Sequence, residues 1–254
     1  MKPILNKLYS LRGRTGIVTG GSSGLGLALT RMLAGAGARV HAFSRSGKPK
    51  SGGKTPGVVH HAVDVTDADA VNELVRRLGD RSGLDFLVNN AGITERIPFV
   101  QGSEEGWRAI QEVNVMAAAR LSRLAHPYLK KSRHPGRVLF VSSMAAHLGF
   151  SEVTAYCVSK AAVLGLMRGL AVEWAPDGIL VNSIAPGWFP SEMTKQVLRQ
   201  NEARREKILA RMPLHRFGTP DEFAATALFL LSPGASYITG HDLAVDGGAL
   251  AFGY

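Results

Sequence analysis

The chain has 254 residues, of which 45% are hydrophobic and 20% charged. This composition excludes general disorder and leaves room for one large α/β domain. The formal net charge of +10 admits a nucleic acid, an anionic surface or a phosphorylated small molecule as partner, but the excess is local: residues 1–54 hold ten basic residues and no acidic one, and residues 55–254 hold 20 of each.

In chain order, residues 15–18 read as a buried strand that runs into the glycine cluster 20–26 and a helix over 25–36. Strands follow at 39–43 and 58–63, a helix at 68–78 and a strand at 84–88. A long helix is expected within 103–129, then a strand at 137–141, a long helix at 153–174 and a strand at 179–184. A helix over 221–231 opened by Pro220 and a last strand at 242–245 complete the series. Apolar strands alternating with helices predict a three-layer, doubly wound Rossmann-type α/β fold with a mostly seven-stranded parallel sheet, in a single domain. Ligand is expected at the carboxyl ends of the strands. Residues 44–57, rich in Ser, Gly, Lys and Pro, read as a mobile basic loop, and residues 187–217 as a substrate lid carrying a charged helical piece at 192–211.

The sole cysteine, Cys157, excludes an internal disulfide and points to a reducing compartment. No run of about 18 apolar residues stands out as a transmembrane helix, and Lys7 interrupts the N-terminal stretch that a signal peptide would need. The expectation is a soluble cytoplasmic protein with no membrane and no nucleic-acid partner.

Three motifs carry chemistry. Thr19-Gly20-Gly21-Ser22-Ser23-Gly24-Leu25-Gly26 follows a strand and opens a helix; its glycines let backbone approach a pyrophosphate, and the helix start offers free N–H groups. Ser44 and Arg45 end the second strand, where an acid would bind a ribose 2′-hydroxyl. Serine does not repel a phosphate and arginine binds one with two parallel hydrogen bonds, so NADP(H) is expected over NAD(H), with Lys48, Lys50 and Lys54 nearby. Tyr156 and Lys160 are spaced i, i+4 on one helix face, and Ser143 lies 13 residues before Tyr156 at the end of the fifth strand.

With these residues in place, the chain resembles the short-chain dehydrogenase/reductase family over nearly its whole length. The matching pieces run in order from Thr19–Gly26 through Asp64-Val65, Asn89-Asn90-Ala91-Gly92, Asn114, Ser142-Ser143, Tyr156 to Lys160 and Pro186-Gly187 to Val245-Asp246-Gly247-Gly248. The resemblance implies a catalytic tetrad of Asn114, Ser143, Tyr156 and Lys160. It implies adenine contacts from Asp64 and Val65, a ribose side shaped by Asn90, Ala91 and Gly92, and a nicotinamide end held by Pro186, Gly187, Phe189 and Ser191. Lys160 as an ammonium would lower the tyrosine pKa from its ordinary value near 10. Ser143 would hydrogen-bond the substrate oxygen, and Asn114 would hold a relaying water.

Substrate contacts are expected from Met144, His147, Leu148, Phe150, Trp188, Phe189 and Met193, which are mostly apolar. The stretch from Pro186 to Thr194 resembles gluconate 5-dehydrogenase-like members of the family, which implies a small polyol or sugar acid. The alternatives are a 3-oxoacyl-[acyl-carrier-protein] reductase, disfavoured by Asp177 where an arginine would grip the carrier, and a cofactor-binding regulator without catalysis. Family resemblance implies a homotetramer or homodimer. His60 and His61 lack metal-ligand spacing, so no metal is expected.

Overall fold

The structure is a computed structural model that describes residues 2–190 and 202–253. Seven strands form one sheet in the order β3-β2-β1-β4-β5-β6-β7. They are β1 Thr15–Thr19, β2 Arg39–Ser44, β3 Val58–Ala62, β4 Phe86–Asn89, β5 Gly136–Val141, β6 Ile179–Pro186 and β7 Asp242–Val245, and every pairing is parallel. The expected doubly wound, seven-stranded fold is therefore present. The chain builds outward from β1 to β3, then restarts beside β1 with β4, and this reversal opens a crevice at the carboxyl ends of β1 and β4.

Alternate side chains of the inner strands enter two separate cores. Ile17, Leu87, Phe140 and Val181 pack with residues of α3 (Ala68–Ser82), α5 (Ala117–Lys130) and α6 (Thr154–Glu173). Val18, Val88, Leu139 and Ile184 pack on the other face with residues of α2 (Gly24–Gly35) and α8 (Pro220–Leu231). Burial on both faces is why these strands are continuously apolar. Pro220 opens α8 as expected, inside a capping box in which Thr219 and Glu222 satisfy each other's backbone N–H.

Several features differ from the sequence reading. An amphipathic helix, α1 (Lys2–Tyr9), precedes the sheet and leaves Ile4 and Leu5 exposed. The single long helix expected within 103–129 is broken into α4 (Glu104–Gln111), a π-helical segment Glu112–Met116 and α5. The loop expected to be mobile is tied down: the Lys50 N–H donates to the Ser22 carbonyl at 2.8 Å, and Arg31 Nη2 donates to the Ser51 carbonyl at 2.6 Å. By length and composition alone, α6 is apolar enough to cross a membrane, yet its Val163, Leu164 and Met167 fill the core beneath the sheet.

Candidate active site

The turn after β1 is built for an anion. Gly20 and Gly24 have φ of +65° and +51°, the left-handed region that glycine enters without strain. A Cβ on Gly26 would lie 2.1 Å from the Gly20 carbonyl oxygen, so only glycine lets α2 pack this closely on the turn. Ser23 caps α2 without a side-chain hydrogen bond, and the first turn of α2 has no acidic residue. The positive end of the helix and its backbone donors are thus left for a ligand.

Thr19 laces this turn to the loop after β4. Its Oγ1 accepts from the N–H groups of Asn90 and Ala91, both at 2.9 Å, while Asn90 Nδ2 donates to the Thr19 carbonyl at 2.8 Å. The expected cofactor residues Gly20, Ser22, Ser23, Leu25, Gly26, Ser44, Arg45, Asp64, Val65, Asn90, Ala91 and Gly92 line one cleft of about 530 Å³. Lys50, expected beside the 2′-phosphate site, lines it too. Gly24 instead lines an adjoining hollow that shares Ser23 and Lys50 with the cleft. The Asp64 carboxyl is held below its ordinary range by the Thr66 backbone N–H at 2.9 Å, its hydroxyl at 2.8 Å and the nearby Arg45 charge.

The tetrad residues gather where this cleft ends. Asn114 sits on the π-helical segment, 2% exposed. Its Oδ1 accepts from the Ile93 N–H at 2.8 Å, and its Nδ2 donates to the Ile93 carbonyl and to Ser159 Oγ, both at 2.9 Å. Ser159 in turn donates to the Tyr156 carbonyl at 2.7 Å. It is a member of the cluster that no motif announced. Around Gly92, the position of a Cβ would be 3.3 Å from Asn114 Oδ1 and 3.6 Å from Lys160 Nζ, so the bare glycine keeps a gap open between amide and ammonium.

Lys160 is buried, donates to the Val141 carbonyl at 2.7 Å and lies 5.5 Å from the centre of the Tyr156 ring. Burial pushes its ammonium down to about 8. Burial pushes the Tyr156 hydroxyl above its ordinary value; a hydrogen bond with Ser143 opposes this, and Cys157 adds to it. The expected lowering by Lys160 is therefore not what governs the tyrosine: desolvation of the phenolate is the largest influence, and the ammonium hydrogen-bonds a backbone carbonyl. Ser143 follows β5, and its Oγ accepts from the Ala145 N–H at 3.1 Å, capping a short 3₁₀ turn at Met144–Ala146.

On the substrate side, Met144 packs in one apolar cluster with Phe150, Trp188, Phe217 and Ile208, Leu209 and Met212 from and just beyond α7 (Glu202–Ala210). Ser191 and Met193 lie outside the described residues. Pro186 closes β6, and the Gly187 N–H donates to the Val245 carbonyl at 2.9 Å. One expectation needs correction. Phe189 is not at the cofactor but in the core, 5% exposed, with its ring 5.7 Å from that of Phe223; the apolar ring is better buried under α8 than at a polar cleft. His147 turns its Nε2 to the carboxylate of Asp242, 2.6 Å away, because that buried charge needs a donor. Among the described residues no cluster of His, Cys, Asp and Glu could hold a metal ion.

A family model described as enoyl-(acyl carrier protein) reductase matches residues 20–249. With this match and the whole-length relatives below, the chain belongs to the short-chain dehydrogenase/reductase family, whose members oxidise alcohols and reduce carbonyls. It is 37% identical to 2-dehydro-3-deoxy-D-gluconate 5-dehydrogenase of Bacillus subtilis (strain 168), covering 97% of this chain and 98% of the relative. It is 38% identical to the 3-oxoacyl-[acyl-carrier-protein] reductase of Thermotoga maritima, over 94% and 98%. Its fold superposes with a TM-score of 0.89 on a gluconate 5-dehydrogenase from Burkholderia cenocepacia J2315 crystallised with NADP and tartrate, at 28% identity over 98% of this chain and 100% of that one.

Proposed function

We propose that the protein is an NADP(H)-dependent oxidoreductase that interconverts a secondary alcohol and a ketone on a small sugar acid. The observation that carries this reading is that Asn114 Oδ1 and Lys160 Nζ both border Gly92 of the phosphate-binding cleft, with Lys160 Nζ 5.5 Å from the centre of the Tyr156 ring. The nicotinamide, when bound, supplies or accepts the hydride. The glycine turn holds the pyrophosphate, Ser44 and Arg45 take the 2′-phosphate, and Asp64 and Val65 flank the adenine. Asn90, Ala91 and Gly92 border the ribose, and Pro186, Gly187 and Ser191 serve the nicotinamide end.

In the reductive direction Tyr156 gives its proton to the carbonyl oxygen, and Ser143 hydrogen-bonds that oxygen as negative charge develops. The raised Tyr156 pKa keeps this acid fully loaded at neutral pH. Lys160 stabilises the tyrosinate left behind, and Asn114 holds the water through which the proton is restored. In oxidation Tyr156 is the base. The sugar-acid class is supported by the resemblance to the Bacillus and Burkholderia proteins. Met144, Phe150 and Trp188 form the apolar wall; the lid expected over 187–217 falls partly outside the described residues. The carrier-protein alternative is disfavoured, since Asp177 is an acid already bonded to Lys130 and His126. A cytoplasmic homotetramer or homodimer fits the unpaired Cys157 and the exposed Val158 and Val172 on α6.

The test is NADPH oxidation with a panel of keto sugar acids, a 3-oxoacyl thioester and simple ketones, with Tyr156→Phe as control. Turnover of a keto sugar acid that falls by about 10²–10⁴ in the control is expected. Equal turnover in both proteins, or turnover of the thioester alone, overturns the proposal.

A further inference from the structure

The strand β7 begins with a carboxylate that the proposed mechanism does not use. The Asp242 side chain is 6% exposed, and among the described residues it faces three donors, of which only the histidine can carry a positive charge. Its Oδ1 accepts from Ser142 Oγ at 2.7 Å and from Ser183 Oγ at 2.5 Å, and its Oδ2 faces His147 Nε2 at 2.6 Å. A buried carboxylate satisfied this fully binds its partners firmly, since each hydrogen bond is charge-assisted.

The partners are what give the contact a consequence. Ser142 and His147 stand on either side of Ser143 in the chain, and the short turn Met144–Ala146 between them is the one that Ser143 caps. Ser183 belongs to β6, paired in register with Asp242. One carboxylate therefore pins both ends of the segment that carries the serine and fixes it to the β6–β7 edge of the sheet.

We infer that Asp242 is a positioning residue for Ser143, acting through Ser142 on one side and His147 on the other. The inference rests on the proposed role of Ser143. Asp242 and His147 touch no reacting atom; they set where the Ser143 hydroxyl stands when charge develops on the substrate oxygen. A donor displaced by an ångström loses much of its effect on the rate-limiting geometry.

The experiment compares steady-state kinetics of Asp242→Asn, His147→Ala and His147→Gln with wild type and Ser143→Ala, alongside thermal unfolding and NADPH binding. Glutamine can place an amide N–H where His147 Nε2 stands, so it serves as the conservative rescue. The expected result is a fall in kcat of about ten- to a hundredfold in His147→Ala and Asp242→Asn, with the NADPH dissociation constant within twofold of wild type, and recovery of most of the loss in His147→Gln. If Asp242→Asn fails to fold, the alanine and glutamine variants at 147 decide alone. Wild-type kcat in His147→Ala, or a loss confined to substrate KM that glutamine does not restore, overturns the inference while Ser143→Ala remains impaired. A Ser143→Ala variant with wild-type kcat would instead sink the proposed role of Ser143.

Discussion

Lys160 reaches past the helix that carries it and donates a hydrogen bond to the Val141 carbonyl at 2.7 Å, so the ammonium is anchored to the end of β5 next to Ser142 and Ser143. Anchoring comes with desolvation. Burial lowers Lys160 from 10.5 to about 8, whereas the unfolded chain keeps the proton up to the ordinary value. Between these two pH values the unfolded state binds more protons, so stability rises with pH across that window. Below pH 8 the buried charge costs about 3 kcal/mol. Lys160→Met should therefore melt higher than wild type at pH 7, by roughly 5–10 °C, and should lose catalysis. A melting temperature at or below that of wild type at pH 7 contradicts this account.

The adjacent strands β2 and β3 hold a second titrating pair. His41 is 2% exposed, and its Nδ1 lies 3.0 Å from His61 Nε2. Burial, then the neighbouring His61, Arg39 and Arg81, push His41 from 6.5 down to about 4. As pH falls through 6.5 the unfolded chain takes up a proton that the folded chain refuses. Stability is then lost progressively down to about pH 4, by up to about 3 kcal/mol. Replacing His41 by Phe should flatten the acid limb of the stability curve, read from urea midpoints at pH 7, 6 and 5. An acid limb as steep as that of wild type refutes the assignment.

Cofactor selectivity should depend on a residue outside the cleft lining. Arg31 on α2 donates to the Ser51 carbonyl, and a Cβ on Gly52 would lie 2.3 Å from its Nη2, so the loop is shaped to receive this guanidinium. Through that clasp Lys50 is held at the cleft beside Arg45. Arg31→Ala should weaken NADPH binding several-fold and leave NADH binding unchanged, measured by cofactor fluorescence titration. Equal weakening of both cofactors would mean that the clasp only supports the fold.

The parts legible in the sequence were those written in local patterns. Short continuous apolar runs, buried on both faces, marked the strands, and Gly20, Gly24 and Gly26 marked the anion turn because backbone there needs conformations or space that other residues deny. Tyr156 and Lys160 were visible because four residues make one helical turn. What escaped depends on partners far apart in the chain. Asp242 and His147 are 95 positions apart, and Ser159 matters only because Asn114 arrives beside it. The π-helical segment leaves no pattern of its own, since one extra residue in a turn alters register without altering composition. Phe189 was misplaced for a related reason: an aromatic next to a glycine motif fits a pocket wall or a core equally well until α8 is packed against it.

The Thr19 lacing has a consequence for how a dinucleotide would enter. Because one hydroxyl ties the β1 turn to the β4 loop, the slot has a span set before any ligand arrives. A flexible dinucleotide must then adopt the protein's length rather than the reverse, and the entropy of fixing its pyrophosphate torsions falls on the ligand. Half-molecules carrying only the adenine end should accordingly find their subsite already formed, without waiting for the other half to organise it.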